Sequence, residues 1–191
     1  MKTVTIVGVG ALGSHVMLFA RNWKVGFHLI DFDKVEQKNT QAQFHSRMGL
    51  RQNKAQALAK GLLGLYGLKV RATTHKVTTD NVEALLGNSA LVIDCTDNIA
   101  ARKVIQDFCK PNDIPCLHGC LSGGGDFARI VWTDAFVADP EGEEGEATCE
   151  DGEQLPFFGM AGGLIAAVAQ EFLETGNKRN RMINTGALLK L

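Results

Sequence analysis

The stretch Thr3–Gly13, TVTIVGVGALG, joins a β-branched run to a glycine-rich turn and decides the fold. The β-branched run favours a strand. Glycines at this spacing permit a tight turn, close approach of the backbone to a phosphate, and close packing of the next helix on the strand. Gly8, Gly10 and Gly13 are therefore predicted to bind a nucleotide. Asp31 follows about 20 residues later, where a carboxylate can hold ribose hydroxyls, but NAD and ATP sites share this pattern.

Strand-like and helix-like segments alternate along the rest of the chain. Strands are predicted at Thr3–Val7, Phe27–Ile30, Lys69–His75, Ala90–Asp94, Pro115–His118 and Asp126–Thr133. Helices are predicted at Ser14–Arg21, Gln52–Leu65, Thr79–Leu86, Ile99–Cys109 and Phe157–Leu173. The alternation is typical of a single α/β domain over residues 1–191, with a Rossmann-like, mostly parallel sheet and helices on both faces. The acidic, glycine-rich segment 134–156 predicts an exposed, mobile loop, and the tail 179–191 could add an edge strand.

Composition excludes several classes of partner. The chain has 191 residues, 45% of them hydrophobic, and a net charge of −1, which offers no basic field for nucleic acid or an anionic membrane. It contains no run of about 18 apolar residues. Its cysteines are odd in number and irregularly spaced, which indicates reduced thiols and a cytoplasmic location; they are Cys95, Cys109, Cys116, Cys120 and Cys149. Cys116 and Cys120 lack the spacing of a usual zinc-ligand pair, so no zinc is expected.

Several short motifs follow one another in a specific order. They are Asp31–Asn39, Gln43-Phe44, Lys54-Ala55, Asp94–Asn98, Arg102, Thr148–Gly152 and the glycine- and alanine-rich segment Gly159–Ala167. In this order they resemble the ThiF/MoeB family of adenylating enzymes, which includes the adenylation domain of ubiquitin-activating enzymes. The resemblance covers most of the chain and favours ATP over NAD as the nucleotide.

The resemblance implies a set of site residues. Nucleotide-binding roles are implied for Gly8, Gly10, Gly13, Asp31, Asp33, Asn39, Lys54 and Asn98. Asp31 is expected to bind the ribose, Asn39 to help hold the triphosphate, and Lys54 to contact the phosphates. Catalytic roles are implied for Lys54, for Asp97 as the Mg²⁺ ligand, and for Arg102 as a support of the site.

In this family, the C-terminal carboxylate of a small protein, often ubiquitin-like, attacks the α-phosphate of ATP to give an acyl-adenylate and pyrophosphate. The resemblance therefore implies ATP and Mg²⁺ as cofactors, a ubiquitin-like protein or peptide as partner, and a homodimer. The chemistry is consistent with the residues, because two anions must meet and cations are needed to stabilise the developing charge. Lys54 and an Mg²⁺ ion on Asp97 would supply them.

Cys149 is a further catalytic candidate. It lies where several family members carry the cysteine that takes over the activated carboxylate. The acidic neighbours Glu146, Glu150, Asp151 and Glu153 would raise the pKa of its thiol, and a nearby helix N-terminus would offset part of that shift. The alternative interpretation is an unreactive loop cysteine in an enzyme that only adenylates.

One position departs from the family pattern. Ala42 stands just before Gln43, where the family usually has a phosphate-contacting arginine. Arg47 or Arg51 could substitute from nearby, or the protein could be a degenerate relative with low turnover.

Each candidate also has a structural interpretation. Lys54 could be a solvated lysine on a helix surface, and Asp97 could cap the following helix. Arg102 could form a structural ion pair with Asp97 or Asp107. His118, at a predicted strand end, is interpreted as a satisfied loop histidine rather than a catalyst.

Three other functions stay open on sequence alone. A catalytically impaired module that binds nucleotide or a partner is consistent with Ala42. A dehydrogenase could bind NAD through the glycine turn and Asp31. A family enzyme could instead activate a carboxylate on a small molecule or on RNA, although no basic patch supports RNA.

Overall fold

A seven-stranded sheet forms the centre of the molecule in a computed structural model that describes residues 1–137, 152 and 154–188. Its strands are β1 Thr3–Val7, β2 Gly26–Ile30, β3 Arg71–Thr73, β4 Leu91–Asp94, β5 Cys116–Leu121, β6 Phe127–Trp132 and β7 Arg181–Asn184. They lie in the order β3-β2-β1-β4-β5-β6-β7. The first five pair in parallel, whereas β6 and β7 are antiparallel to their neighbours. The predicted mostly parallel sheet is confirmed.

Helices cover both faces of this sheet. They are α1 Ala11–Ala20, α2 Asn39–Ala42, α3 Lys54–Tyr66, α4 Val82–Leu86, α5 Ile99–Cys109 and α6 Leu155–Thr175, with 3₁₀ turns at Arg47–Gly49, Thr133–Ala135 and Thr185–Leu188. Helices α1, α3 and α6 pack on one face against Val4 and Ile6, and α4 and α5 pack on the other against Val7. Successive residues of β1 therefore belong to different cores, as the period of two in a strand requires. The α/β class with helices on both faces is confirmed.

Local side-chain bonds fix where the two helices nearest the site begin. Asn53 caps α3 by accepting the backbone N–H of Gln56 at 3.2 Å. Asn98 caps α5 in the same way, with the N–H of Ala101 at 2.9 Å. Asparagine is a favoured N-cap because its side-chain oxygen satisfies an N–H that the helix leaves unpaired.

Several predicted boundaries move. Helix α1 begins at Ala11 rather than Ser14, because the glycine turn leads directly into it. Strand β5 continues to Leu121, so His118 lies within the strand and not at its end. Helix α4 begins at Val82, after a turn in which Asn81 accepts the N–H of Thr78. The tail supplies the predicted edge strand as β7, while most of the predicted acidic loop 134–156 lies outside the part of the chain that the structure describes.

Helix α6 is long and apolar. It has 21 residues, and an 18-residue window within it has a mean hydropathy of 1.3, which meets a length and composition criterion for a membrane span. The helix nevertheless packs against α1, with Phe158, Ile165 and Ala169 fully buried. Core helices often pass the same criterion, so this helix is weak support for a membrane span.

Candidate active site

The glycine turn between β1 and α1 is fixed by two close contacts. Gly8 has φ +80°, and a Cβ there would lie 2.9 Å from the backbone of Cys95. A Cβ at Gly13 would overlap the carbonyl oxygen of Gly8. Gly10, by contrast, has nothing closer than 3.9 Å to such a Cβ. Gly8 and Gly13 are therefore required by the backbone of the turn itself. Gly10 leaves open space at the start of α1, where a phosphate could approach the backbone.

Asp31, just past the end of β2, is joined to the glycine turn. Its carboxylate accepts the N–H of Val9 at 2.8 Å and the N–H of Asp33 at 2.8 Å. Burial raises the pKa of this carboxyl above its ordinary value, and the Lys54 charge and the two N–H groups offset only part of that shift. The carboxylate of Asp31 therefore lies where a ribose could bond to it, next to the turn that would hold the phosphates.

Lys54 begins α3 and lies at the same edge of the sheet as Asp31, where the parallel strands end. Its Nζ lies 3.2 Å from Oδ2 of Asp33, and its backbone N–H bonds to the Asp33 carbonyl at 2.8 Å. The lysine is 9% exposed, so the interpretation as a solvated surface lysine is wrong. A cavity of about 160 Å³ lies beside this pair and is lined by Asp33, Lys34, Glu36, Lys38, Asn39 and Lys54. The structure thus brings together three predicted site residues, Asp33, Asn39 and Lys54.

A second set of charges is buried on the other face of the sheet. Asp94 at the end of β4 has no exposed surface. Arg102 of α5 lies 3.5 Å from its Oδ2, and His118 Nδ1 lies 2.8 Å from the same oxygen. Asp94 and His118 are register partners on adjacent parallel strands, so their side chains lie on the same face of the sheet. Arg102 therefore forms its ion pair with Asp94, and not with Asp97 or Asp107 as its structural interpretation predicted.

The protonation pattern of this network follows from its geometry. Burial would raise the pKa of Asp94, but the Arg102 charge and the His118 hydrogen bond outweigh it and hold the pKa below its ordinary value. An ionised carboxylate only accepts, so His118 donates its Nδ1–H. Its Nε2 lies 2.7 Å from the hydroxyl of Thr133, so both ring nitrogens have a hydrogen-bond partner. The ring of His118 also stacks on Phe136, with centroids 4.0 Å apart.

The same network holds the loop that follows β4. Asp94 Oδ1 accepts both the N–H and the hydroxyl of Thr96, at 2.9 and 2.7 Å. Arg102 donates to the carbonyl oxygens of Thr96 and Gly119. Both terminal nitrogens of its guanidinium therefore have partners inside the protein, and Arg102 ties the loop that follows β4 to strand β5.

Asp97 and Asn98 lie on that loop. Asp97 is exposed. Burial would lower the pKa of Arg102, but the Asp94 carboxylate outweighs it and raises that pKa, with a smaller contribution from Asp97. The helix cap is Asn98, so the interpretation of Asp97 as the cap of α5 is wrong. Asp97 does not line the cavity beside Lys54. Among the described residues no three His, Cys, Asp or Glu side chains could share a metal ion. One exposed carboxylate nevertheless fits Mg²⁺, which binds through one or two carboxylates together with substrate phosphates.

Ala42 is fully buried and contributes no charge. Arg47 and Arg51, the two candidates to replace the missing arginine, do not line the cavity beside Lys54. Arg47 lies in the first 3₁₀ turn, and Arg51 lies just after that turn with φ 66°. Cys149 lies outside the described part of the chain, so its role stays a prediction. The expectation of no zinc stays a prediction as well.

Polar side chains behind the glycine turn hold it in place. Ser14 Oγ accepts the N–H of Phe44 at 2.9 Å, and His45 Nε2 donates to the carbonyl of Val9 at 2.8 Å. The other ring nitrogen of His45 is buried without a hydrogen bond, as is Oε1 of Gln43. Burial lowers the pKa of His45 to about 4, because the charged imidazolium would lose its hydration there, and the nearby Lys54 charge adds to the shift.

Sequence reasoning missed two groups of residues. Lys34, Glu36 and Lys38 belong to the motif that carries the resemblance. The resemblance implies no role for them, yet all three line the cavity beside Lys54. His118 is satisfied, as predicted, yet by Asp94 and Thr133 inside the core rather than in a loop. The sequence did contain a signal for the contact between Asp94 and His118. Both residues lie near the carboxyl ends of predicted parallel strands, and such ends meet at one edge of a sheet.

The fold and this edge define a class of protein, a nucleotide-binding α/β domain with a glycine turn, an acid at the end of the second strand, and a lysine-lined cavity beside it. A family model described as the ThiF family matches residues 1–189. The chain belongs to the ThiF family.

Named relatives agree with this assignment. The chain is 29% identical over 198 residues to the adenylyltransferase and sulfurtransferase MOCS3 of Dictyostelium discoideum, covering 98% of this chain and 46% of that one. It is 29% identical over 180 residues to the molybdopterin-synthase adenylyltransferase of Escherichia coli K12, covering 89% and 72%. The chain thus spans about half of the first relative's length.

Solved structures share the fold. The crystal structure of E. coli MccB with MccA-N7isoASN superposes with a TM-score of 0.79 at 17% identity, covering 97% of this chain and 62% of that one. At this identity the likeness concerns the fold alone.

Proposed function

We propose that the protein catalyses ATP-dependent adenylation of the C-terminal carboxylate of a small, ubiquitin-like protein or a peptide. One observation carries the proposal: Lys54, Asn39 and Asp33 line a single cavity next to Asp31 and the glycine turn. Membership of the ThiF family and the adenylyltransferase names of two relatives support it.

The first step joins two anions. A carboxylate oxygen of the partner attacks the α-phosphorus of ATP, the bond from that phosphorus to the bridging oxygen breaks, and pyrophosphate leaves with the electron pair. The products are an acyl-adenylate and pyrophosphate. Positioning and charge stabilisation supply most of the catalysis in such phosphoryl chemistry.

The described residues can each take a part in that step. Lys54 would stabilise the negative charge that develops on the phosphates, and Asp31 would hold the ribose. The N–H groups at the start of α1 would face the phosphates beside Gly10. Mg²⁺ accompanying ATP would be held by Asp97 and would spread the charge of the leaving pyrophosphate. Arg102 and Asp94 would keep the loop of Asp97 in place.

A second step is proposed for Cys149. Its thiolate would attack the carbonyl carbon of the acyl-adenylate, the bond from that carbon to the phosphate oxygen would break, and AMP would leave. The thiol proton would pass to solvent. Substitution Cys149→Ser tests this step alone, because adenylation and pyrophosphate release should continue while a thioester, cleavable by hydroxylamine, no longer forms.

Thermal unfolding in the presence of ligands tests which nucleotide the protein binds. Mg²⁺-ATP is expected to raise the melting temperature of the wild type, and Asp97→Ala is expected to abolish the shift. Asp107→Ala, an exposed carboxylate on α5, is the matched control and should keep it. A shift with NAD alone, or none with Mg²⁺-ATP, would contradict the proposal. ATP–pyrophosphate exchange in the presence of a candidate partner then tests the chemistry.

A second candidate is a module that binds nucleotide without chemistry. The observation in its favour is Ala42, a buried residue without charge beside Gln43. Such a module would bind Mg²⁺-ATP but give no pyrophosphate exchange with any partner. We also propose that the protein forms a homodimer and lies in the cytoplasm. Sedimentation of the purified chain measures its mass in solution and so tests the homodimer.

A further inference from the structure

The cavity beside Lys54 carries more positive charge than the predicted site residues account for. Three lysines, Lys34, Lys38 and Lys54, line it together with the carboxylates Asp33 and Glu36. At neutral pH its lining therefore has one positive charge in excess. Its volume of about 160 Å³ is enough for several water molecules or for part of a phosphate chain.

The two cations already discussed share their charges with carboxylates. Lys54 is held 3.2 Å from Asp33 and also lies near Asp31, so its charge is partly balanced before any ligand arrives. The terminal nitrogens of Arg102 are held by Asp94 and by the loop after β4. A polyphosphate at this edge would need a further cation to balance it.

Lys38 is placed to supply that cation. It immediately precedes Asn39, and the Asn39 side chain fixes the local backbone by accepting the N–H of Glu36 at 2.9 Å. Its own ammonium forms an ion pair with Glu36 at 3.5 Å, with side chains 48% and 62% exposed. A pair this exposed contributes little stability, so Glu36 attracts the ammonium less strongly than a polyphosphate would. Its flexible stem and three donors suit such a move.

We propose that Lys38 binds the polyphosphate of ATP together with Lys54. This rests on the proposed function, because it names a further residue of the same nucleotide site. Lys38 acts on the phosphates and not on the adenosine half, since it lines the cavity with Lys54 while Asp31 provides the ribose contact from outside that lining.

Calorimetric titration of the whole chain tests the inference with three probes: Mg²⁺-ATP, adenosine and inorganic tripolyphosphate. Lys38→Ala is expected to weaken ATP and tripolyphosphate binding by about 10- to 100-fold, the range for a lost charge-assisted hydrogen bond. Adenosine affinity should stay at the wild-type value. Lys38→Arg, which keeps the charge, should retain ATP affinity within about threefold. Lys60→Ala removes an exposed lysine of α3 outside the cavity and should change nothing.

Three outcomes would overturn the inference. They are unchanged ATP affinity in Lys38→Ala, an equal loss for ATP and adenosine, and an arginine variant as weak as the alanine one. The failure of the proposed function looks different: the wild type then binds no ATP. In that case tripolyphosphate decides, since binding that depends on Lys38 keeps the cavity as a polyphosphate site, and no binding overturns that too.

Discussion

Two charged regions lie at the carboxyl edge of the sheet and hold their charges differently. Around Asp94, the charged side chains are at most 10% exposed, and both Arg102 and His118 contact its carboxylate. Around Lys54, the partner Asp33 is 50% exposed, and Lys38 and Glu36 are similarly open. The first region is built to hold a loop in one place. The second has charges that a ligand can attract, because water already screens them and a new partner costs little.

The largest effect is expected where a buried charge loses its partner. Arg102→Met leaves the fully buried carboxylate of Asp94 without its cation and should lower the free energy of unfolding by about 3–5 kcal/mol. Urea unfolding measures this. Lys103→Met, the exposed neighbour on α5, is the control. A loss no larger than that of the control would mean that the two regions hold their charges alike.

The glycine turn should show the next largest effect. Gly13→Ala pushes a methyl group into the carbonyl oxygen of Gly8 and should lower the free energy of unfolding by about 2–3 kcal/mol. Gly10→Ala meets no atom within 3.9 Å and should leave stability unchanged while weakening ATP binding. Chemical unfolding and ATP titration of both variants check this. Equal stability of the two variants would show that the turn relaxes more freely than its contacts imply.

Buried histidines predict a pH dependence of stability. Burial lowers the folded-state pKa of His28 and of His45 to about 4, below the ordinary 6.5. Unfolding therefore takes up protons between these values, so stability is present above pH 6.5 and is lost as pH falls towards 4. Each histidine contributes a slope of about 1 kcal/mol per pH unit near pH 5.

Urea unfolding at pH 7, 6 and 5 measures this slope. His45→Leu removes one proton-binding site and should reduce the slope near pH 5 by about 1 kcal/mol per pH unit, the contribution of that one histidine. The absolute stability of that variant also changes, because the bond to Val9 is lost, so only the slope decides. A slope equal to the wild type would place the titration elsewhere in the chain.

The smallest stability effect is expected in the open region, together with a large loss of activity. Lys54→Ala removes a pair whose partner is half exposed and should lower the free energy of unfolding by about 1 kcal/mol or less. ATP–pyrophosphate exchange should fall by about 100-fold or more, because the charge on the phosphates is then unbalanced. A variant that unfolds readily but still catalyses exchange would reverse the contrast between the regions.

Helices and strands were predicted with correct bounds where the residues that define their ends are close together in sequence. Helix α5 has the predicted bounds, Ile99–Cys109, because an asparagine cap and an apolar face define it within a few residues. The observed ends of β5 and α6 differ from the predicted ones. The length of a strand depends on the strands that pair with it, and the length of a helix depends on the surface it packs against. Such neighbours are distant in sequence and leave no mark at the boundary itself.

The candidate site was predicted in part for the same reason. The motif order identified Asp33, Asn39 and Lys54, which the fold brings to one cavity. It did not predict that Arg102 would pair with Asp94, because the direction of a side chain depends on how α5 packs on β4.

Local sequence is enough to predict the alternation of strands and helices, the glycine turn and the acid at the end of β2. These follow from steric limits and hydrogen bonds among residues close along the chain. Which charges are buried and which stay open depends on how distant segments pack together. Burial depends on packing between β4, β5 and α5 on one side of the sheet, and on the open edge beside α2 and α3 at the cavity of Lys38 and Lys54.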